Sequence, residues 1–278
     1  MCIAVNYTGV KKHLINYDNG KESMKRITLK VGSGVLTENN AVAKERMLNL
    51  VSFIVKLKKI YDVILVSSGA VSSGYTALKL DRKKNISKKV LAAVGQPILM
   101  SNYKALFDIY DVDTSQVLMT EEDFDSLAHI EIFRQIIDSQ IEHEILPIVN
   151  ENDITTISEQ VFGDNDQLSA HVAHHSGSQI LVILSDIDGY YDKNPNEHDD
   201  AILFKQVNHI PPSELQKPDT SNHEFATGGI VTKLKAAQFM LDQGREMFLC
   251  NGYDLTSAEE YLIDGQHNKG TLFSSQKA

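Results

Sequence analysis

The stretch LPIVNENDITTISEQVFGDNDQLSA, residues 146–170, decides the fold and carries the clearest signal of a functional site. It opens on an apolar run at residues 146–149, a pattern typical of the end of a buried strand. Two polar tetrads come after it, NEND at residues 150–153 and GDND at residues 163–166. The second tetrad leads into a segment whose apolar spacing predicts a helix.

Seven residues of these two tetrads are acids or amides. Burying so many uncompensated carboxylates costs free energy, so we expect the tetrads to face water, a cation or a polar ligand. In an open α/β sheet, ligands bind at the carboxyl ends of the strands. The alternative is a pair of polar turns, because Asn, Asp and Gly favour turns for local reasons. Composition alone leaves both interpretations open.

The rest of the chain alternates between strand and helix patterns. Strands are predicted at residues 26–31, 63–66, 116–119, 180–184 and 247–250, and helices at residues 41–60, 88–110, 126–140 and 230–242. Several strands are almost purely apolar, which indicates burial on both faces. The pattern predicts an α/β fold, a three-layer α/β/α sandwich with a mostly parallel central sheet. We expect Gly95, Gln96 and Pro97 to interrupt or bend the helix that contains them.

Composition limits the classes of partner. The chain has 278 residues and a formal net charge of −10, which disfavours binding to nucleic acid or to an anionic membrane surface. Its two cysteines, Cys2 and Cys250, have no metal-binding spacing, so we expect a reducing, cytoplasmic location. The longest apolar runs are too short for a membrane span.

Residues 1–23 differ from the rest of the chain. They are polar and aperiodic and lack the apolar core of a signal peptide. We expect regular structure to begin at Met24, and the hypothesis is that residues 1–23 are a disordered tail or a misplaced start. Residues 24–278, which show no repeat or linker, are then predicted to form a single domain.

Three predicted strands run into small polar or glycine-rich turns. These are Gly32-Ser33-Gly34, the segment SSGA at residues 67–70, and Ser185-Asp186. Glycine turns allow backbone N–H groups to approach phosphate or carboxylate oxygens. One such turn is weak evidence, but three on the same predicted sheet edge, together with the polar tetrads, favour an anion-binding site.

Two lysines stand out from the solvated majority. Lys30 lies inside an apolar strand directly before a glycine turn, where a lysine is expected to be held against an anion. Lys233 lies in the first turn of a predicted helix, which the segment ATGG at residues 226–229 enters. The order and spacing differ from those of a P-loop, but helix N-terminal amides and a lysine suit an anion equally well. Lys235 is expected to be an ordinary surface residue.

Taken in chain order, these segments resemble the amino acid kinase family. The resemblance rests on KVGSGVLT at residues 30–37, VSSGAVSSG at 66–74, GQP at 95–97, NEND at 150–153, FGDNDQLSA at 162–170, LSDIDGYY at 184–191 and GGIVTK at 228–233. It spans residues 26–273. The paired NEND and GDND motifs are similar to those of the family members that phosphorylate glutamate.

The resemblance implies transfer of the ATP γ-phosphate to the γ-carboxylate of L-glutamate, which gives L-glutamyl 5-phosphate and begins proline biosynthesis. It places Lys30 and Lys233 beside the transferring phosphoryl group and gives Asp166 the role of orienting them. Mg²⁺ bridges the nucleotide phosphates, and no protein ligand to a metal is assigned.

The same resemblance implies two binding regions. Ser68, Asp153 and Asn165 are the glutamate contacts, and Asp153 is suited to the α-ammonium group. Asp164 supports the same loop without a separate role. The nucleotide contacts are Lys30, Ser185, Asp186, Thr227, Gly228, Gly229, Ile230, Val231, Thr232 and Lys233.

Three departures from the family pattern affect what is carried over. Ser33-Gly34 stands where members often have Thr-Ser, so backbone amides are expected to act there instead of hydroxyl groups. The chain is expected to lack the PUA domain that many members append. Lys193-Asn194 precedes the proline of a loop that should touch adenine or ribose, which leaves nucleotide preference open.

The family resemblance also implies partners. We expect a homo-oligomer (a dimer or a tetramer), feedback inhibition by proline near residues 150–166, and a functional link to a glutamyl-phosphate reductase. The alternatives to this function are a non-catalytic proline or nucleotide sensor on the same fold and a kinase for another small carboxylate.

Three histidines raise the question of a metal site. His171, His174 and His175 have the spacing that places side chains on one face of a helix. No fourth ligand has a matching spacing, so a helix surface or subunit contact is the preferred interpretation.

Overall fold

The computed structural model describes residues 15–18, 21–38, 41–81, 84–156, 165–217 and 229–276. Its strands are β1 Ile15–Asp18, β2 Lys21–Val31, β3 Thr37–Glu38, β4 Ala41–Val42, β5 Tyr61–Val66, β6 Thr114–Met119, β7 Leu146–Glu151, β8 Ile180–Ser185, β9 Gln206–Val207, β10 Glu246–Asn251 and β11 Thr271–Phe273. Its α-helices are α1 Ser33–Leu36, α2 Lys44–Leu57, α3 Ala70–Leu78, α4 Asn85–Phe107, α5 Leu127–Glu142, α6 Asn165–His175, α7 Pro212–Leu215, α8 Ile230–Asp242 and α9 Thr256–Glu259. Short 3₁₀ segments occur at Asp108–Tyr110 and Glu121–Phe124, and a π-helical turn at Glu260–Asp264.

The main sheet has the strand order β6-β7-β5-β2-β8-β10-β11-β9. Every pair from β6 to β10 is parallel, whereas β11 runs antiparallel to β10. Consecutive parallel strands need crossover connections, and the long helices supply them. The predicted mostly parallel sheet is confirmed.

Alternate residues of the central strands pack on opposite helical layers. Leu29 and Leu65, for example, belong to the core cluster that includes α2, α4 and α9, and Ile64 lies in the cluster formed with α5 and α6. Ile183 belongs to a third core cluster, on the same side of the sheet as Ile64, and α8 contributes to this cluster. Because both faces of these strands are covered, most of their residues are apolar, and the predicted three-layer α/β/α sandwich is confirmed.

Several predicted boundaries were wrong. The helix predicted at residues 41–60 is limited to α2, because residues 41–42 pair as β4 with β3. Helix α3 and strand β11, which lies between β10 and β9, were missed. The expected interruption at Gly95, Gln96 and Pro97 is also wrong, since α4 continues through Pro97. Ala93 and Pro97 are both exposed, so the carbonyl that loses its helical partner can bond to water.

Regular structure begins before the predicted Met24. Strand β2 starts at Lys21, and β1 pairs antiparallel with it from Ile15↔Met24 to Asp18↔Lys21. The expectation of disorder over residues 1–23 is therefore wrong for β1 and for the start of β2. The Asn-Gly dipeptide between the two strands in the sequence favours a hairpin and was the missed signal. None of the helices in the described ranges has the length and apolar character that crossing a membrane requires.

Helices α3 and α4 meet at two glycines. A Cβ atom at Gly95 would lie 1.8 Å from the carbonyl oxygen of Ala70, and one at Gly74 would lie 1.9 Å from that of Leu91. Both clashes are with backbone, which cannot swing away as a side-chain end can. This contact also fixes the N-terminus of α3, where Gly69 has a φ of 102° directly after Ser68.

We expect Gly95→Ala to lower the free energy of unfolding by about 2 kcal/mol or more, because the two helices must separate to admit the methyl group. Thermal or denaturant unfolding measures this loss. Ser101→Ala, an equally small change at an exposed position of α4, is the control and should be nearly neutral. Equal stability of the two variants would contradict the close packing.

Candidate active site

Four adjacent parallel strands bring their carboxyl ends together at one edge of the sheet. Strands β7, β5, β2 and β8 are neighbours in that order. They deliver Asn150, Ser67, Gly32 and Ser185 to the same edge. The convergence predicted for the glycine turns and the NEND tetrad is present.

Lys30 is the penultimate residue of β2 and pairs with Val66 of β5 and Ile183 of β8. Only 3% of the residue is exposed. Its ammonium group forms an ion pair with Oδ1 of Asp166, which is the second residue of α6 and completely buried. A buried ammonium group requires such a partner, because desolvation would otherwise disfavour its charge.

Asp166 also binds the first turn of α8. Its Oδ2 lies 3.2 Å from Nζ of Lys233 and accepts a hydrogen bond of 3.0 Å from Oγ1 of Thr232. Nζ of Lys233 further donates to the carbonyl oxygen of Gly229 at 3.3 Å. The three predicted catalytic residues, Lys30, Asp166 and Lys233, therefore form one buried cluster in which two positive charges face one negative charge.

Asn165 connects the cluster to the end of β5. Its Nδ2 donates to the carbonyl oxygen of Ser67 at 2.6 Å and to Oγ of Ser68 at 3.1 Å. A carbonyl can only accept, so the amide orientation is fixed and Oδ1 is the atom that Asn165 offers to a ligand. Ser68 and Asn165, which were predicted together, lie together.

A chain of amides supports Asn165. Its Nδ2 also donates to Oδ1 of Asn150, at 2.7 Å, and that oxygen accepts the backbone N–H of Glu151 at 2.9 Å. Nδ2 of Asn150 in turn donates to Oε1 of Gln96 at 2.7 Å. The Nε2 group of Gln96 is a buried donor for which the described residues supply no partner. In the sequence, Gln96 and Asn150 were identified only as parts of the GQP and NEND motifs, and nothing in the local sequence predicted their contact.

Asp153 lies on the loop after β7 and is partly buried. Burial and, after it, the charge of Glu151 raise the pKa of its carboxyl group to about 7, although a backbone hydrogen bond and the charge of Lys89 act to lower it. No hydrogen bond among the described residues joins Asp153 to Ser68 or Asn165. Its link to them runs through the backbone of the loop to Asn150.

A cleft opens on the other side of Lys233. Its lining includes Asp186, Ile187, Tyr190, Asn194, Ile230 and Lys233. The walls combine apolar and aromatic side chains with a small number of polar groups, as small-molecule sites do. Of the two predicted nucleotide contacts here, Asp186 lines the cleft, and the buried Ser185 donates from Oγ to Oδ1 of Asp186 at 3.0 Å.

The other predicted nucleotide residues separate into four groups. Gly229 and Ile230 line the cleft, and Thr232 holds Asp166. The side chain of Val231 is buried, so any contact with a ligand there would come from its backbone. Thr227 and Gly228 lie outside the described residues, as does Asp164.

The histidines of α6 pack among aromatic rings. The ring centroids of His171 and Phe239 are 4.4 Å apart, and those of His175 and Phe124 are 5.3 Å apart. Burial, followed by the charges of His174, His171 and Arg245, lowers the pKa of His175 to about 4. All three histidines are partly exposed while packing against these rings, and a helix surface or subunit contact stays a prediction. In the described ranges, no three His, Cys, Asp or Glu side chains are arranged to hold a metal ion.

The buried cluster that contains Lys30 and Lys233 lies between the cleft and the amides of Asn165 and Asn150. This arrangement is typical of proteins that bind anionic small molecules at the carboxyl edge of a parallel sheet. The model of the amino acid kinase family matches residues 25–251. The chain belongs to the amino acid kinase family.

Curated relatives match nearly the whole chain. Glutamate 5-kinase of Wolinella succinogenes is 48% identical over 255 residues, covering 90% of this chain and 98% of the relative. Glutamate 5-kinase of Leishmania donovani is 45% identical, covering 92% of this chain and 97% of the relative.

Solved structures share the fold at low identity. UMP kinase from Bacillus anthracis has a TM-score of 0.64 at 15% identity, covering 91% of this chain and 97% of that one. The product complex of isopentenyl phosphate kinase from T. acidophilum has a TM-score of 0.58 at 14% identity, covering 89% of this chain and 98% of that one.

We expect Asp166→Asn to lower the free energy of unfolding by about 3–5 kcal/mol, because it removes the buried negative charge that the ammonium groups of Lys30 and Lys233 share. Denaturant unfolding measures the change. Asp242→Asn, an exposed change at the end of α8, is the matched control. If Asp166→Asn were as stable as the control, the cluster would not be an ion-pair network.

Proposed function

We propose that the protein transfers the γ-phosphate of ATP to the γ-carboxylate of L-glutamate and produces L-glutamyl 5-phosphate, the first step of proline biosynthesis. The observation that carries the proposal is the buried cluster of Lys30, Asp166 and Lys233, with the cleft on one side and Ser68 and Asn165 on the other. The glutamate 5-kinases that match almost the whole chain support the choice of acceptor.

The reaction suits these residues because the nucleophile is already a carboxylate. No proton has to be removed, so the site needs no general base. The obstacle is repulsion between the acceptor carboxylate and the polyphosphate, and positive charge with correct positioning overcomes it. Lys30 and Lys233 supply this charge, and Asp166 holds both ammonium groups in place.

The acceptor lies on the side of the amides. Oδ1 of Asn165 and the hydroxyl group of Ser68 orient glutamate, and the carboxylate of Asp153 receives its α-ammonium group. In that arrangement the γ-carboxylate of the acceptor points towards the two lysines.

The nucleotide occupies the cleft, with its phosphates directed at Lys233 and at the N-terminus of α8. Mg²⁺ enters with ATP as part of the co-substrate. Both carboxylate oxygens of Asp166 are already engaged by Lys30, Lys233 and Thr232, so phosphate oxygens and water would be the main ligands of Mg²⁺, which would neutralise charge on the phosphates.

Regulation and partners are part of the proposal. Proline acts as a feedback inhibitor near residues 150–166, and the protein works as a homo-oligomer of two or four subunits in the cytoplasm. Because an acyl phosphate is labile, its product passes to a glutamyl-phosphate reductase through a functional link.

The test of the reaction is ATP-dependent formation of glutamyl hydroxamate by purified protein with magnesium and hydroxylamine. Parallel samples contain glutamate, aspartate, N-acetylglutamate or no acid. A signal specific for glutamate supports the proposal. A signal with another acid would overturn the roles of Ser68, Asp153 and Asn165, and no signal from folded protein would favour the sensor alternative.

We expect Lys233→Ala to reduce kcat by about three powers of ten or more, because it removes charge from the transferring phosphoryl group. The fold should persist, since Lys30 remains paired with Asp166. Lys235→Ala, an exposed change two residues further along α8, should retain full activity. Near-normal turnover of Lys233→Ala would refute the role of Lys233.

We expect the affinity for glutamate to rise with pH up to about 7 and then to level off. The raised pKa of Asp153 means that this carboxyl group holds a proton below pH 7, whereas an ammonium ligand requires the ionised form. Between pH 8 and pH 6 the affinity should fall about tenfold, with uptake of a proton by Asp153. The KM for glutamate in the hydroxamate assay gives the profile, with the KM for ATP as reference. A flat glutamate profile would contradict this role for Asp153.

A further inference from the structure

Lys89, on the solvent side of α4, reaches across to the loop that carries Asp153. Its Nζ donates to the carbonyl oxygen of Thr156 at 2.6 Å and to that of Ile154 at 3.3 Å. The side chain is half-buried, in contrast to the exposed Lys88 beside it. Two carbonyl acceptors on one ammonium group make a directed contact, not a solvated surface charge.

The loop itself is a single closed turn. The backbone N–H groups of Thr155 and Thr156 donate to the carbonyl oxygen of Asn152 at 3.1 Å and 3.2 Å, and Oγ1 of Thr156 donates to the same oxygen at 3.0 Å. The start of the turn is held by the N–H of Asn152, which donates to the carbonyl of Met119 at 2.8 Å. Carbonyls at the end of such a turn favour a cation, and Lys89 provides it.

Asp153 lies inside this turn and is flanked by charges of both signs. Glu151 repels the negative charge of its carboxylate, whereas the ammonium group of Lys89 attracts it. Lys89 therefore acts on Asp153 in two ways, through the shape of the turn and through its charge.

We propose that Lys89 is a positioning residue for the acceptor, holding the turn at Asn152–Thr156 so that Asp153 faces the ammonium group of an amino-acid substrate. This role rests on the proposed function, because it presumes an amino acid in the acceptor site. It predicts that Lys89 governs the affinity for glutamate and leaves phosphoryl transfer itself unchanged.

The test compares Lys89→Met with Lys89→Arg and with Lys88→Met as the matched control, in the hydroxamate assay between pH 6 and pH 8. For Lys89→Met we expect the KM for glutamate to rise about tenfold, the loss typical of one charged hydrogen-bond donor, with kcat and the KM for ATP nearly unchanged. The pH at which the glutamate KM levels off should also move upward, because Asp153 loses a stabilising cation. Lys89→Arg should restore both properties, and Lys88→Met should behave as the unmodified protein.

A merely structural role for Lys89 would lower thermal stability without moving the pH profile of the glutamate KM, and that result would overturn the proposal. An unchanged KM for glutamate would also overturn it, as would equal rises in the KM for glutamate and the KM for ATP. Should Lys89→Met fail to fold, Lys89→Gln retains a polar side chain and must show the same two shifts. If the unmodified protein forms no glutamyl hydroxamate, the proposed function and this role both fail. If the unmodified protein is active and Lys89→Met has the same KM for glutamate, only the role of Lys89 is refuted.

Discussion

The carboxylate of Asp166 is the group on which the rest of the site depends. It is completely buried and gathers Lys30 from β2 with Lys233 and Thr232 from α8. Each lysine would be costly to bury alone, and each is tolerable only while the shared carboxylate is present. The network therefore couples the strand, α6 and α8, so that the fold around the site and the charge within it are established together.

The network lies at the carboxyl edge of the sheet because helices cover both faces of the sheet. Strand β8 is buried along its whole length, and its neighbours are mainly apolar, so the strands have little room for polar side chains. The carboxyl edge is where the chain leaves these covered layers, and there residues distant in sequence can meet. Asn165, for example, bonds to Ser67 across 98 positions of the chain. A parallel sheet brings such groups to one edge without needing a local motif for each pair.

Signals that act over a few residues were sufficient to predict part of this arrangement. Lys30 was recognisable because a lysine in an apolar strand is unusual, and α8 was predicted with the bounds Ile230–Asp242 that the structure has. The contacts of Gln96 and Lys89 could not be predicted in the same way. Their partners in β7 and in the loop after it lie 54 to 67 positions away, so these contacts depend on how α4 is placed against that part of the chain. In sequence Lys89 looks like any lysine on a helix surface. The continuity of α4 through Pro97 likewise depends on which face of the helix meets water.

The distribution of charge explains how an acidic protein can act on two anions. With a formal net charge of −10, the chain as a whole repels both ATP and glutamate. Lys30 and Lys233 counter this repulsion from a buried position, where their field is screened far less than that of surface lysines. In the proposed function, neutral amides and hydroxyl groups orient the acceptor without adding charge, and Asp153 receives its ammonium group. Buried positive charge is thus placed where, in the proposed reaction, the two anions approach each other, and apart from Asp153 the groups proposed to orient the acceptor are neutral.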